Sequence, residues 1–393
     1  MRRNKTRKFI LVVAGILLSL ILILAIWSVV AGPVTVYRVI TRGDTTVYDY
    51  KRFPGRSLTP SPVPYRFDVD LQDGLLPETI HLDISGGKTF DDLLETSKTL
   101  AFLIIQDDVL VFEYYGNGHS ESAISQIFST SKSILSILVG TAIDDGLITS
   151  VKDPVTKYVP ELAGAGFENV TIENLLNMQS NMDYFENDNP FGEHVIFNFT
   201  NHLEDEILGL RILTKPDRQF RYKSGDNALL GLILDRTLGD KTITQYIQER
   251  LWNSLGMEHG GVWGVDRLDG LERTWCCLSM SARDLAKFGQ LYLQNGNWNG
   301  TQIVPPEWVE TSTMFGAYTS NEWPSDMSKI GASNYKYQWW LLSGNDGDYS
   351  SWGKDGQFVY VNPQKGLVIV RLGETDGGLP WFRIFQEIAK EIQ

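Results

Sequence analysis

The chain has 393 residues, of which 42% are hydrophobic and 21% are charged, and its formal net charge is −13 at pH 7. These values are those of a globular protein with a sizeable core, in one large or two ordinary domains. Without the five basic residues of the N-terminus, the chain has 30 Lys and Arg residues and 48 Asp and Glu residues, which gives this part a net charge of −18. This charge disfavours nucleic acid and anionic membrane surfaces as partners of the body.

The chain begins with a pattern typical of membrane insertion or export. Five basic residues within the first eight positions precede an uncharged stretch at 9–31, which is long enough as a helix to span a bilayer core. The stretch is long for a signal peptide, and Val29-Val30-Ala31 is a poor cleavage site. We expect a single-pass anchor with the body on the extracytoplasmic side, and secretion after signal cleavage is the alternative.

Residues 32–76 contain five prolines and favour an extended stalk. The predicted organisation is therefore an anchor or signal at 1–31, a stalk or linker at 32–76 and a globular domain at 77–393. The two cysteines, Cys276 and Cys277, are adjacent, which predicts two buried apolar residues and no disulfide framework.

The fold class follows from the order of the predicted elements. Apolar runs at 99–106 and 109–115 predict one strand hairpin, and runs at 358–362 and 367–371 predict another. Helical patterns dominate between the hairpins, and an amphipathic helix is predicted at 380–392. We expect an α+β fold in which helices flank an antiparallel sheet and an all-helical lobe is inserted, behind an N-terminal transmembrane helix. The cleft between the lobes is the expected site.

The first candidate motif is Ser-x-x-Lys at Ser129 and Lys132, where an apolar helix begins that ends near Gly146. Positions three apart share one helix face, so the hydroxyl and the amine can meet. The helix start also offers free N–H groups to a developing oxyanion. Further Ser-x-x-Lys matches begin at Ser85, where glycines indicate a loop, and at two positions near the C-terminus. The alternative interpretation of Ser129 is an ordinary helix cap.

Two further segments carry possible chemistry. Tyr222 and Ser224 lie on a polar loop that precedes an apolar helix at 228–238, and a nearby lysine charge would lower the pKa of the phenol so that it could relay a proton. Ring packing by Tyr222 and helix capping by Ser224 is the alternative. The sequence Trp-Gly-Lys-Asp-Gly-Gln at 352–357 precedes a strand and, by itself, is only a turn.

In this order, the three motifs resemble those of the serine β-lactamase and penicillin-binding-protein superfamily. The similarity is to the branch with class C β-lactamases, esterases and 6-aminohexanoate-dimer hydrolase. Ser129-x-x-Lys132 is similar to the first motif, and Tyr222-x-Ser224 is similar to the second motif in its dimer-hydrolase form. Residues 353–357 resemble the Gly-x-x-Gly-Gln that replaces Lys-Thr-Gly in that branch. The segments 171–178, 279–289 and 337–340 add to a resemblance that covers about 80–393.

The resemblance implies a serine hydrolase that works through an acyl-enzyme on Ser129. Lys132 would be the base, since a buried lysine has a lowered pKa, and Tyr222 would pass the proton to the leaving group. The amides of Ser129 and Lys354 would form the oxyanion hole.

Substrate contacts are expected from residues of the second and third motifs and from aromatic residues near the cleft. The residues expected to bind substrate are Ser224, Gly353, Gln357, Tyr184 and Trp339. Phe185 and Trp340 lie in the same two aromatic segments, and all four aromatic residues could equally be core.

The motif departures indicate the substrate class. The second-motif Asn and the Lys-Thr-Gly of true β-lactamases are missing, so we expect an ester or a linear amide, carried by a small molecule or a short peptide. A D-amino-acid peptidase or penicillin-binding protein is the alternative, as is a non-catalytic tethered binding domain. Neither metal nor cofactor is expected, because the five histidines are scattered and no metal-spaced cluster or phosphate loop is present.

Overall fold

The structure is a computed structural model that describes residues 2–72, 74–76, 89–316, 318–319, 321–344 and 347–392. The Ser-x-x-Lys match at Ser85 and the predicted domain boundary at residue 77 lie outside the described residues. The helices are α1 (Arg2–Ala31), α2 (Pro33–Arg42), α3 (Phe90–Thr96), α4 (Thr130–Asp144), α5 (Ile172–Leu176), α6 (Glu193–Phe199), α7 (Leu203–Gly209), α8 (Ser224–Thr237), α9 (Ile243–Ile247), α10 (Ala282–Leu293), α11 (Pro306–Thr313), α12 (Ser325–Lys329) and α13 (Trp381–Glu391).

The strands form a large sheet and two small ones. They are β1 (Gly55–Leu58), β2 (Asp68–Val69), β3 (Thr99–Gln106), β4 (Val109–Tyr115), β5 (Ser125–Gln126), β6 (Gly261–Gly264), β7 (Leu278–Met280), β8 (Asn297–Trp298), β9 (Thr301–Gln302), β10 (Ala332–Lys336), β11 (Trp339–Leu342), β12 (Tyr349–Gly353), β13 (Gln357–Asn362) and β14 (Leu367–Gly373). The orders are β10-β11-β12-β13-β14-β3-β4-β2, β1-β6-β7-β5 and β8-β9.

The large sheet contains both predicted hairpins, β3–β4 and β13–β14. Antiparallel pairing of β14 with β3 joins the two hairpins, with Ile369 opposite Ile104. Alternate residues enter two different cores, as the period of two in a strand requires. Leu103 and Val370 belong to the core that includes residues of α4 and α10, whereas Ile104 belongs to the core that includes residues of α3 and α13. This mixed α/β arrangement agrees with the predicted sheet and flanking helices.

The helical part of the body lies between β5 and β6 in the chain and contains α4 to α9. Helix α4 packs against α8, and α8 also contacts α5 and α7. Helix α4 is almost entirely buried, because it lies between the large sheet and this helical part. The start of α4 therefore stands at the junction of the two parts.

Residues 32–76 differ from the extended stalk that the prolines predicted. Residues 33–42 form the helix α2, and the Arg38 guanidinium donates to the backbone carbonyls of Phe199 and Thr200 at 3.0 and 2.8 Å. Strand β1 pairs with β6 in the smaller sheet. The segment thus packs on the body, because its hydrogen-bonding partners lie far away in sequence and leave no local signal.

The cysteines also differ from the prediction. Cys276 and Cys277 are bonded to each other as a disulfide between neighbours, and Cys277 has a left-handed φ of 73°. The expectation of two separate apolar residues was wrong, although the bond cross-links no distant parts of the chain.

Helix α1 is one continuous apolar helix whose outer surface is exposed. Its segment Lys5–Ala31 has a mean hydropathy of 3.3 and is long and apolar enough to cross a membrane. A signal anchor and a signal peptide share this composition. At its end, Trp27 and Ala31 pack with Val36 of α2, and the Trp27 ring lies 5.1 Å from that of Phe191.

Candidate active site

The candidate nucleophile and base lie at the first turn of α4. The Lys132 Nζ donates hydrogen bonds to the Ser129 Oγ at 2.9 Å and to the Trp275 carbonyl at 3.1 Å. Ser129 occupies the cap position, but its hydroxyl makes no capping hydrogen bond. Burial lowers the pKa of Lys132 to about 8, and the negative charge of Glu186 opposes this shift. A larger fraction of Lys132 is therefore present near neutral pH as the neutral amine, the form that can act as a base.

Tyr222 lies beside this pair. Its ring centre is 4.8 Å from the Lys132 Nζ, and its hydroxyl interacts with Ser129. Burial of the phenol and the charge of Glu186 raise the pKa of Tyr222. The predicted lowering was wrong, because burial of the phenol dominates, and the neighbouring Lys223 donates instead to the carbonyls of Met182 and Tyr184. Tyr222 is thus a neutral phenol that can donate a proton.

Ser224 begins α8, four residues earlier than the predicted helix start. Its Oγ donates to the Glu186 Oε1 at 2.6 Å, and its backbone N–H donates to the Oε2 at 2.9 Å. Ser224 thus contacts a carboxylate in the structure, and its predicted contact with substrate stays a prediction. The carboxylate accepts from the first N–H of the helix, where negative charge is favourable.

Glu186 is the residue of this site that the sequence did not reveal. Burial alone would raise its pKa, but the hydrogen bond and charge of His194, 3.4 Å away, and the charge of Lys132 hold the pKa of Glu186 at about 2. A fixed negative charge therefore faces both Lys132 and Tyr222. A single acid in a loop carries no motif spacing, so only the folded arrangement identifies it.

The third motif approaches the start of α4 from β12. A Cβ atom on Gly353 would lie 2.4 Å from the Ile127 carbonyl oxygen and 3.1 Å from the Ser129 nitrogen, so only glycine fits. Gln357 donates to the carbonyls of Lys354 and Gly373 at 3.0 and 2.7 Å and so braces the turn. These bonds occupy its buried amide, and the predicted substrate contact of Gln357 stays a prediction.

The side chain of Lys354 points away from the nucleophile. Its Nζ lies 2.6 Å from the Asp44 Oδ1 and 3.1 Å from the Thr45 Oγ1. Both partners belong to the segment that connects α2 to β1. The ammonium is thus paired with Asp44, and Lys354 lines the catalytic cavity with atoms other than its Nζ.

A cavity of about 280 Å³ joins these groups. It is lined by Ser129, Glu186, Tyr222, Met327, Trp340, Trp352, Gly353 and Lys354. Tyr184 and Trp339 are absent from its wall, contrary to prediction. Tyr184 is buried with its hydroxyl 3.1 Å from the His194 Nδ1, and Trp339 packs on Tyr292 at 4.5 Å between ring centres. Trp340, the next residue of β11, faces the cavity instead.

Within the described residues, no group of His, Cys, Asp or Glu side chains is arranged to hold a metal ion. The reactive groups at the cavity are the side chains of Ser129, Lys132, Tyr222 and Glu186, together with backbone amides.

A helix-borne serine in contact with a buried lysine, beside an antiparallel sheet and a helical lobe, defines a serine hydrolase of the β-lactamase and penicillin-binding-protein fold. The beta-lactamase family model matches residues 88–384, and the chain belongs to this family.

Relatives agree with this assignment. The 6-aminohexanoate-dimer hydrolase of Paenarthrobacter ureafaciens is 28% identical over 296 residues, which cover 71% of this chain and 73% of that protein. A solved Bacillus anthracis protein, provisionally named a 6-aminohexanoate-dimer hydrolase, has a TM-score of 0.75 at 21% identity and covers 88% of this chain and 92% of its own. EstCE1, a hydrolase with promiscuous acyltransferase activity, has a TM-score of 0.60 at 14% identity over 77% of this chain and 96% of its own. The two structures support the fold.

Proposed function

We propose that this serine hydrolase cleaves an ester or a linear amide through an acyl-enzyme on Ser129, with Lys132 and Tyr222 moving the proton. The observation that carries the proposal is the 2.9 Å hydrogen bond between the Lys132 Nζ and the Ser129 Oγ inside a buried site. A serine hydroxyl becomes a nucleophile when a base in contact takes its proton.

The proton path follows from the two pKa directions. Neutral Lys132 accepts the Ser129 proton as the hydroxyl oxygen attacks the carbonyl carbon. Tyr222 remains protonated and lies next to both groups, so it donates a proton to the departing alcohol or amine and recovers one from Lys132. Water then attacks the acyl-enzyme with the same groups acting in reverse. The amides of Ser129 and Lys354 stabilise the oxyanion.

Esters and linear amides are favoured over β-lactams and D-amino-acid peptides. Those two substrates carry a carboxylate that needs a cationic partner, and the Lys354 ammonium is already paired with Asp44. Ser224 is also occupied, since it binds Glu186. Neither of these side chains is free to bind the carboxylate or the acylamide group of a β-lactam.

The N-terminal segment is an uncleaved anchor in this proposal, and the hydrolase domain spans residues 77–393 on the extracytoplasmic side. Support comes from the basic N-terminus, from the apolar segment Lys5–Ala31 and from the packing of Trp27 and Ala31 next to α2. Helix α2 and strand β1 attach the anchor firmly to the domain. Secretion after cleavage is the alternative.

The test is covalent labelling measured by intact mass. A fluorophosphonate should add one adduct to the wild type and none to Ser129→Ala. Ser131→Ala is the matched control, because the Ser131 hydroxyl lies in the same helix turn and has no hydrogen-bond partner among the described residues. This control should label like the wild type. An unlabelled, folded wild type would disprove the proposal and favour the non-catalytic binding domain.

A further inference from the structure

A second apolar cavity lies beside the catalytic one. Its volume is about 260 Å³, and its wall includes Ile330, Phe358, Leu379 and Phe382. Trp352 lines both cavities and is only partly buried. The two spaces therefore meet at one tryptophan ring.

Aromatic rings form a continuous wall from the catalytic tyrosine to the second cavity. Tyr222 stacks on Trp340 at 5.8 Å between ring centres, Trp340 contacts Trp352 at 5.4 Å, and Trp352 contacts Phe382 at 5.7 Å. The short helix α12 follows the same path, because its Met327 lines the catalytic cavity and Ile330, directly after it, lines the second one. An apolar chain could follow this wall without meeting a buried charge on these side chains.

We infer that the second cavity is a subsite for the acyl chain of the substrate, so that the enzyme prefers esters or amides of medium-length, unbranched apolar acids. This inference rests on the proposed function. The leaving group must depart beside Lys132 and Tyr222, which supply its proton. The chain that stays on Ser129 would follow the aromatic wall past Trp352 into the second cavity, whose lining is mostly apolar.

The polar part of the wall fits this occupant. Among the described residues, Asp376 is the acidic residue on the wall of the second cavity, and no basic side chain lines it. The cavity thus offers no cation to an anionic acyl end. Burial of each additional methylene group would raise kcat/KM by at most about fourfold until the cavity is full.

The experiment is a chain-length series on the full-length protein. We expect kcat/KM for p-nitrophenyl esters to rise at least tenfold from acetate to octanoate, mainly through KM. Leu379→Trp and Ile330→Trp each fill the cavity and should bring the octanoate-to-acetate ratio of kcat/KM close to one. Leu268→Trp is the matched control, because Leu268 is 79% exposed and lines neither cavity, and it should keep the wild-type profile.

The outcomes separate this inference from the proposed function. A flat acyl series in a wild type that hydrolyses acetate through Ser129 would overturn the subsite and leave the hydrolase intact. A rise with the length of the alcohol at constant acetyl, with no rise in the acyl series, would also overturn it. Failure of every ester, with no fluorophosphonate adduct, would refute the proposed function itself. If the folded Leu379→Trp and Ile330→Trp variants show the same dependence of kcat/KM on acyl length as the wild type, the acyl chain does not bind in the second cavity.

Discussion

At the scale of single residues, the charge of Glu186 raises the pKa values of Lys132 and Tyr222. Activity that needs a neutral Lys132 should rise with pH through a pKa of about 8. The negative charge of Glu186 raises the pKa of Lys132, so Glu186→Gln should move the rising limb of kcat/KM to lower pH. His194, Ser224 and Lys132 all interact with this carboxylate, and Gln keeps its shape.

The measurement is kcat/KM for a short ester between pH 5 and 10. Glu193→Gln removes a charge from nearby α6 and is the control; it should leave the limb in place. An unchanged limb in Glu186→Gln, with the fold intact, would show that Glu186 does not influence the ionisation of Lys132.

The contribution of Tyr222 to the rate of hydrolysis should increase with the basicity of the leaving group. Tyr222→Phe removes the proposed proton donor, so hydrolysis of alkyl esters and amides should fall by about 10²–10⁴-fold, the range of general acid catalysis. p-Nitrophenolate leaves without a proton and should be affected far less. Steady-state rates for matched alkyl and p-nitrophenyl esters check this.

The control for this prediction is Tyr335→Phe, which removes a buried hydroxyl that donates to the Gln338 Oε1 in the same aromatic cluster. It should reduce both rates equally and only slightly. Equal losses for both esters in Tyr222→Phe would contradict the role of Tyr222 as proton donor.

The site residues that could be predicted are those with local spacing. Ser129 and Lys132 meet because three residues make nearly one helical turn, and Tyr222 belongs to a recognisable motif. Glu186 belongs to no motif, and its partners Ser224 and His194 come from separate segments. The pKa of Tyr222 was mispredicted for the same reason, since it depends on which charges the fold brings close.

At the scale of elements, β12 requires glycine where it meets α4. Gly353→Ala should destabilise the protein by about 1–3 kcal/mol, because the new Cβ collides with the Ile127 carbonyl and crowds the Ser129 nitrogen. Displacing a proposed oxyanion donor should also lower kcat by about 10²-fold or more.

Thermal unfolding and ester kinetics measure the two effects. Gly209→Ala in α7 is the matched control, since a Cβ there meets nothing within 4 Å, and both its stability and its activity should stay near wild type. A fully active Gly353→Ala would rule out a tight approach of β12 to the nucleophile.

Strand alternation explains why the elements could be predicted better than the cavity wall. Both hairpins and the last helix were visible as runs of apolar residues. Trp339 and Trp340 are neighbours on β11, so their rings must enter opposite faces of the sheet. The strand pattern predicts that one of these two tryptophans lies at the site. Which of the two it is depends on the face of the sheet that forms the site, and only the tertiary structure determines that face.

At the scale of the whole molecule, the proposed anchor makes a fractionation prediction. The full-length chain should stay in the membrane pellet after alkaline carbonate extraction, whereas residues 32–393, made without α1, should be soluble. Intact mass of the membrane fraction checks whether residues 1–31 are retained. A soluble product that has lost these residues would indicate a cleaved signal.

The long-range organisation was the least predictable part of the fold. Proline spacing at 32–76 favoured a stalk, but β1 pairs with β6 and Arg38 binds carbonyls in the helical part. Such contacts join segments that are remote in sequence, and no local pattern encodes them.

The pairing of β14 with β3 has a consequence for biosynthesis. Strand β3 emerges from the ribosome long before its partner β14, which follows it only after the whole helical part of the body. Until then, β3 keeps an unpaired edge that can associate with other chains. The nascent body must therefore remain incompletely folded until β14 has been synthesised. Contacts this distant in sequence also make folding slow. Yield in a heterologous host should depend more on chaperone capacity during this interval than on the stability of the finished protein.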